Sequence, residues 1–437
     1  MENPTEFVQW LRSVAPYIHA YRGKTFVIAF PGELVMAGAL PVLAQDLSLL
    51  HALGIKVVIV HGSRPQVEEQ LALRNVEARF TTNGLRITDA AAIECAKEAA
   101  GEIRLDIEAA FSQGLPNTPM AHAAIRIISG NFVTARPLGV IDGADLKWTG
   151  VVRKIAYETI HAILNAGSLV LLSPLGFSPT GEAFNLTMED VAVSAAVSLR
   201  AEKLIFISET PLMKDAGDTE IRELSSHQAQ AVLDSGCLPQ DSAFYLQHAI
   251  KSCNAGVPRA HIVPFSEDGS ALLEVFTHDG VGTMITYENL ESLREATIED
   301  VGGILKLIEP LEADGTLVKR GRELIEREIH YFSVIDHDGV LFGCAALYPF
   351  PDEKMGEMAC LTVNPDVQGQ GDGEKILKHM EARARAAGLT KLFVLTTRTS
   401  HWFLRRGFVN ATVDDLPKNR QHMYNWQRKS LVLIKQL

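Results

Sequence analysis

Residues 358–387 hold the stretch that most narrows what this 437-residue chain can fold into. An apolar run from Met358 to Val363 leads into Gln368-Gly-Gln-Gly371-Asp-Gly373, and an amphipathic segment from Glu374 to Ala387 follows. That order predicts a strand, a glycine-rich turn and a helix. Glycine lets the turn take positive φ and leaves no Cβ where a ligand must approach. The N–H groups of a helix's first turn lack partners within the helix and form a ready anion site. A pyrophosphate suits such a turn, gripped by the backbone of Val363, Gln368, Gly369, Gln370, Gly371 and Gly373. A tight turn with no ligand is the plainer alternative.

The turn lies late in the chain and has neither Gly-x-Gly-x-x-Gly nor Walker spacing. After it, Ile376, Leu377, Met380 and Ala384 form one helical stripe that Gly388 ends. The strand-like run Lys391 to Thr397 and then His401-Trp-Phe-Leu-Arg-Arg-Gly407-Phe408 follow. From about Arg294 to Leu437 this order resembles the GCN5-related N-acetyltransferases. The resemblance implies a mixed α+β domain that uses acetyl-CoA as co-substrate.

The length suggests two or three domains, and 47% apolar residues are ample for their cores. A net charge of −12 argues against nucleic acid and anionic membrane as partners. Apolar runs such as Ser168 to Leu172 fall short of a membrane span. The start, Met-Glu-Asn-Pro-Thr-Glu, has neither a basic nor an apolar signal region. Cys95, Cys237, Cys253, Cys344 and Cys360 are scattered, without Cys-x-x-Cys spacing. The expectation is a reducing cytoplasm and no metal site.

Residues 3–20 read as an amphipathic helix, with Phe7, Leu11, Val14 and Ile18 at helical spacing. Pro16 is expected to break or kink it. Strand-like runs at Thr25–Phe30, Lys56–Val60, Ser168–Ser173, Lys203–Ile207 and His261–Val263 then alternate with helical segments. That rhythm predicts an α/β domain around a mostly parallel sheet. It is expected to fill residues 1–287, with a linker at 288–293 and a second domain at 294–437.

The first block is similar to the amino acid kinase fold, in its acetylglutamate kinase branch. The matching pieces are Val58-Ile-Val-His61-Gly, Asn83-Gly-Leu-Arg86-Ile-Thr-Asp89, Gly139-Val-Ile-Asp-Gly143, Phe184-Asn-Leu-Thr-Met-Glu189 and Ala201-Glu-Lys203. The departures fall on the chemistry. Those kinases have a lysine after the first strand where this chain has Ala29-Phe-Pro31-Gly32. His61-Gly-Ser63-Arg64 stands for their His-Gly-Gly-Gly, and Glu189 for an aspartate. Their later catalytic lysine has no counterpart near Phe244 to His248. Phosphoryl transfer depends on cations around the moving group, so the kinase reaction is not expected.

A dismantled kinase fold followed by an acyltransferase resembles the bacterial N-acetylglutamate synthase family along the whole chain. The resemblance implies transfer of acetyl from acetyl-CoA to the α-amine of L-glutamate, the first step of arginine biosynthesis. It also implies feedback inhibition by L-arginine through the first domain, and a homo-oligomer, hexameric in the family.

Such a reaction needs a base, oxyanion donors and acceptor anchors. Glu357 lies inside an apolar run, where burial would raise its pKa toward a useful range. It is the expected base, although a strand-end Glu facing water is the plainer reading. Strict alternation puts Glu357 and Cys360 on opposite strand faces, so both approach a thioester only if the strand bulges or splays. Backbone N–H groups near Cys360 and Leu361 are the expected oxyanion donors, with Cys360 itself as buried filler. No Tyr occurs between Tyr348 and Tyr424 to protonate the thiolate; the resemblance points instead to the Thr396 hydroxyl, with Ser400 a weaker candidate. A dicarboxylate acceptor needs paired cations. The resemblance singles out Arg320, Arg428 and Ser430. For arginine it singles out Tyr17, Lys203, His261, Glu274, Gly280 and Gly282, with Glu274 pairing the guanidinium and the glycine-rich loop offering carbonyls.

Three other readings remain open: an N-acetylglutamate kinase-like phosphotransferase with an acyl-CoA-binding module, a non-catalytic binder of arginine and acyl-CoA, and an acetyltransferase for another amine.

Overall fold

In the computed structural model, the β-branched runs of the first half become the interior of an eight-stranded sheet. The structure describes residues 4–81, 85–113, 125–141, 143–209, 213–214, 220–277, 280–287, 291–337, 339–364 and 372–437. From edge to edge the strands are Glu223–Ser225, Thr283–Thr286, Arg259–Pro264, Lys203–Ser208, Thr25–Phe30, Lys56–His61, Leu169–Leu172 and Ile127–Ser129. Neighbours run parallel except Arg259–Pro264 against Thr283–Thr286. Every residue of Thr25–Phe30 is buried. Val27 and Ala29 enter one core while Phe26, Ile28 and Phe30 enter the other. This is the two-sided burial of a parallel sheet covered by helices. A four-stranded sheet, Ala183–Asn185, Leu175–Phe177, Val133–Pro137 and Gly150–Ile155, completes this unit with a small hairpin.

The first helix, Pro4–Tyr21, continues through Pro16 rather than breaking there. Pro16 is exposed, so water can reach the carbonyl that loses its partner. Buried Val14 and the packed Tyr17 and Ile18 hold the helix to the core on both sides of the proline.

The chain divides into two compact units, Met1–Glu288 and Asn289–Leu437. Residues 291–293, expected to be linker, instead open the strand Glu291–Glu295, antiparallel to Phe332–His337. Leu293 packs against the core there, which favours pairing over solvent.

The second unit is a seven-stranded sheet in the order Glu291–Glu295, Phe332–His337, Val340–Phe350, Met355–Val363, Lys391–Thr396, Leu431–Gln436 and Val409–Ala411. The helices Asp372–Ala386 and Ser400–Leu404 cover one face through Ile376, Leu377, Met380, Ala384 and Phe403. Val301–Ala313 and Arg322–Glu328 cover the other through Val301, Ile304, Ile308 and Ile325. Met355–Val363 and Lys391–Thr396 are parallel, but their register covers only Met355–Glu357 against Lys391–Phe393. Beyond it, the first strand pairs with Val340–Phe350 and the second with Leu431–Gln436. The two strands part just after Glu357.

Candidate active site

The Met355–Val363 strand carries one extra residue where it passes Val340–Phe350. Cys344 faces Thr362 and Ala346 faces Ala359, so two residues, Cys360 and Leu361, stand against Ala345 alone. Cys360 takes φ 55°, a left-handed conformation that costs a non-glycine about 1–2 kcal/mol. The Cys344 thiol donates to the Cys360 carbonyl at 3.7 Å. This bulge resolves the alternation problem. Glu357 faces Tyr348 across the strands, and Cys360 joins Cys344 and Ala346 in the core against which Tyr348 packs. Glu357 and Cys360 therefore share a face, while Leu361 and Val363 turn their side chains toward the Asp372–Ala386 helix. Burial pushes the Cys360 thiol up to about 11, so it is a neutral filler rather than a nucleophile.

Glu357 is buried, as expected of a base inside an apolar run, and it is paired. Arg420, on the short helix Lys418–His422, donates Nε to Oε2 at 2.6 Å and Nη2 to Oε1 at 3.0 Å. The sequence reading missed Arg420, which lies 63 residues away with no spacing signal. The available hint was physical: a Glu inside an apolar strand needs a cation.

Arg320 lies in the loop before Arg322–Glu328, its N–H held by Glu312 at 2.7 Å. Arg428 lies before the last strand, its N–H held by Asn425 at 3.1 Å, while its Nη2 donates to the Thr316 carbonyl. Burial, and then the positive charge of Arg320, lowers the pKa of Arg428. Burial also opposes the charge of Arg320, but Cys360, Tyr348 and Glu357 around it raise its pKa overall. The two guanidiniums thus lie near enough for one charge to act on the other, and Arg320 also feels Cys360 at the bulge. Arg428 Nε and Thr316 Oγ1 are buried without a hydrogen-bond partner, as is Thr362 Oγ1 on the bulged strand opposite Cys344. Buried donors without partners are costly, and Arg428 Nε and Thr316 Oγ1 mark a place for acceptor oxygens. Thr316 and Thr362 gave no sequence signal. Ser430 is half-buried beside Arg428, and its carbonyl accepts the Tyr424 hydroxyl at 2.6 Å.

Thr396 ends the Lys391–Thr396 strand, on the far side of the parting. Its Oγ1 accepts the Thr399 N–H at 3.1 Å and lies 2.9 Å from Thr399 Oγ1. When Thr399 donates in that pair, the Thr396 proton is free to point elsewhere.

Gln368, Gly369, Gln370 and Gly371 lie outside the described residues. The helix after them begins at Asp372, two residues earlier than expected, which puts Gly373 in its first turn. A Cβ there would sit 3.2 Å from the Trp402 ring, so close packing, not positive φ, demands this glycine.

In the first unit, five of the six residues singled out for arginine come together, and Tyr17 is joined to them through Tyr21. Lys203 Nζ lies 3.0 Å from His261 Nε2, and His261 Nδ1 lies 2.6 Å from Glu274 Oε1. Glu274 Oε2 accepts the N–H groups of Val281 and Gly282, each at 2.8 Å. A neutral imidazole with its proton on Nδ1 satisfies both neighbours. Burial, then the Lys203 charge, lowers His261 to about 4. Burial works against the Glu274 charge, but His261 and the two N–H groups outweigh it and hold Glu274 at about 2. Tyr21 lies under Lys203 Nζ, 5.0 Å from the ring centroid, and the Tyr17 ring is 6.3 Å from that of Tyr21. Glu274 already accepts three hydrogen bonds, so about one of its roughly four acceptor positions is left for the expected guanidinium. The Gly280 carbonyl does take a guanidinium, that of Arg222, at 3.2 Å.

Two carboxyl groups of the kinase-like unit are shifted toward their neutral form. Burial, reinforced by Asp190 and Glu33, raises Glu189 to about 7, and Glu33 is also raised by burial and by Glu209. Among the described residues no group of His, Cys, Asp and Glu is arranged to hold a metal ion, and no helix is long and apolar enough to cross a membrane.

Residues 24–264 match the amino acid kinase family, and residues 303–408 match the acetyltransferase (GNAT) family. An amino-acid acetyltransferase of Ralstonia nicotianae is 64% identical over 99% of this chain and 96% of its own length. The N-acetylglutamate synthase of Neisseria gonorrhoeae, in complex with coenzyme A and L-arginine, superposes with a TM-score of 0.90 at 38% identity over 99% of both chains. Its complex with coenzyme A and N-acetyl-glutamate gives a TM-score of 0.64 at 39% identity over the same shares. With an amino acid kinase fold, then a GNAT fold, and close likeness along its whole length, the chain belongs to the amino-acid acetyltransferase family.

Proposed function

We propose that the protein transfers the acetyl group of acetyl-CoA to the α-amine of L-glutamate. The observation that carries this reading is the pair Arg320 and Arg428, each within reach of the other's charge, with Arg320 also feeling Glu357 and with Arg428 Nε and Thr316 Oγ1 unpartnered. Paired guanidiniums suit a small acceptor with two carboxylates and repel a lysine side chain or a polyamine. The gonococcal relative's complex with N-acetyl-glutamate supports the same acceptor.

In this reading the coenzyme runs into the parting of the two strands, with its pyrophosphate on the turn from Gln368 to Gly373. Val363 and Leu361 line its path. Glu357 takes the proton from the attacking amine. Arg420 occupies about two of the roughly four acceptor positions of that carboxylate, which leaves the others for the substrate's ammonium. Backbone N–H groups at the Cys360–Leu361 bulge stabilise the oxyanion, and the Thr396 hydroxyl supplies a proton to the departing thiolate. Ser430 adds a hydroxyl to the acceptor pocket. L-arginine acts as feedback inhibitor through Tyr17, Lys203, His261, Glu274, Gly280 and Gly282, in a homo-oligomer.

Thiol release from acetyl-CoA, measured with each free amino acid and with polyamines, tests this assignment. L-Glutamate is expected to be the best acceptor by a wide margin. A better rate with lysine or spermidine, or no thiol release with any amine, overturns it.

A further inference from the structure

One charged groove in the second unit has no part in the reading above. It has a volume of about 430 Å³ and runs along the Asp372–Ala386 helix past Leu377. Arg405 and Arg406, which follow the Ser400–Leu404 helix, line it together with Lys378 and Lys435. Its two carboxylates are already engaged. Glu374 pairs with Lys378 at 3.1 Å and Arg406 at 3.4 Å, and Glu381 pairs with Lys435 at 2.6 Å. Four cations against two carboxylates make a positive groove on a chain of net charge −12. Arg406 Nε is buried without a hydrogen-bond partner. Arg405 is exposed and makes no ion pair among the described residues.

The groove starts at the first turn of that helix, at Glu374, one residue past Gly373. Glu374 is the third residue of its helix, and Glu381 lies about 10 Å further along at 1.5 Å per residue. Trp402 stands at the same end, against Gly373. The Arg406 guanidinium stacks on its ring, 3.9 Å from the centroid. A stacked guanidinium with a free N–H, a second guanidinium and flanking ammonium groups suit a phosphomonoester dianion. Coenzyme A carries such a group on its ribose, one sugar away from the pyrophosphate.

We propose that this groove binds the ribose 3′-phosphate of the coenzyme, with Arg405 and Arg406 as its guanidinium contacts. The inference rests on the acetyl-CoA reading above, and dephospho-coenzyme separates the two.

Acetyl-CoA and acetyl-dephospho-CoA are compared as substrates of the full-length protein and of Arg405→Ala, an exposed position where the fold tolerates the change. The parent is expected to favour acetyl-CoA by about tenfold or more in kcat/KM, the scale of a charge-assisted hydrogen bond. Arg405→Ala is expected to lose most of that preference by using acetyl-CoA less well, and Arg405→Lys to regain part of it. Adenosine 3′,5′-bisphosphate is expected to compete with acetyl-CoA far better than AMP or inorganic phosphate does, and to lose that advantage in Arg405→Ala. Equal use of both coenzymes by the parent, or a preference that survives in Arg405→Ala, overturns this inference and leaves the acetyl-CoA reading intact. Inorganic phosphate that competes as well as the bisphosphate reduces the groove to a general anion site and also overturns it. No use of either coenzyme removes the acetyl-CoA reading itself.

Discussion

Arg420 and Glu357 form a bidentate ion pair, 2.6 and 3.0 Å, in which the carboxylate is buried and the guanidinium only partly exposed. Breaking such a pair from one side leaves a charge without compensation, at a cost of about 3–5 kcal/mol where burial is complete. The pair thus fixes the orientation of the proposed base. It also makes the two residues act as a unit.

Glu357→Gln is expected to lower turnover by about 10²-fold or more while coenzyme binding persists. The loss shrinks at high pH, where more of the substrate amine is already neutral. Arg420→Met is expected to impair turnover by a comparable factor, and the double variant to be little worse than either single one. Steady-state rates across pH for the three variants check this; multiplicative losses would count against a shared role.

Acceptor recognition is expected to depend on both guanidiniums. Arg320→Ala and Arg428→Ala each raise the KM for glutamate by about tenfold or more, because a carboxylate then lacks its partner in a site shaped for it. The KM for acetyl-CoA should change far less. If the glutamate KM stays put in both variants, the acceptor pocket lies elsewhere.

Much of this site was legible in the residues, and what was not has physical reasons. The strand, turn and helix around Gly373 follow from hydrophobic period and glycine placement. Glu357, Thr396 and the two arginines were identifiable because their residue types and positions match a known order. Arg420, Thr316 and Thr362 were not, since they meet the site only through tertiary packing. The bulge at Cys360 was recognised as a requirement but not as a fact, because no residue there is a glycine to mark it. In the first unit, the pieces of the Lys203–His261–Glu274 chain were named, but the sequence could not reveal that they satisfy one another.

Gly373→Val is expected to weaken acetyl-CoA binding at least tenfold. The Cβ would press on Trp402 at 3.2 Å, in the first turn of the helix that follows the glycine-rich turn. Helix propensity alone disfavours Val less than Gly, so the loss comes from displaced packing. Isothermal titration with acetyl-CoA measures it, and parent-like affinity in a folded variant defeats the assignment.

The two buried histidines of the first unit are expected to contribute stability that is lost as pH drops from about 6.5 toward 4. His61 and His261 are both buried and lowered from 6.5 to about 4. At these two sites the unfolded chain therefore binds more protons than the folded one within that window, and their contribution is full only above it. Glu189, raised by burial to about 7, and Asp46, raised by burial to about 6, work the other way, since their folded forms hold protons that the unfolded chain releases. Replacing the histidines isolates their part. His61→Asn and His261→Asn should each be less stable at pH 7 but lose less stability than the parent as pH drops from 6.5 to 4 in denaturant titrations. A slope unchanged in both variants rules out the histidines as the cause.

Inhibition by arginine is expected to run through the first unit rather than by competition at the acetyl site, although glutamate and arginine share an amino acid head. Glu274 is held at about 2 by His261 and two N–H groups, so it organises the Gly280–Gly282 loop more than it offers a free carboxylate. Arg222 already uses the Gly280 carbonyl, and an incoming guanidinium must share or displace that contact. An effector shifts an equilibrium only through unequal affinity for two arrangements. This loop and the helix carrying Tyr17 and Tyr21 are the elements near the cluster that can differ between them. Tyr17→Ala and Glu274→Gln are expected to raise the arginine concentration for half-inhibition by at least tenfold, each normalised to its own uninhibited rate. Raising glutamate should not relieve inhibition of the parent in the manner of a competitor. Parent-like sensitivity in both variants, together with full relief by glutamate, would instead put arginine in the acceptor pocket between Arg320 and Arg428.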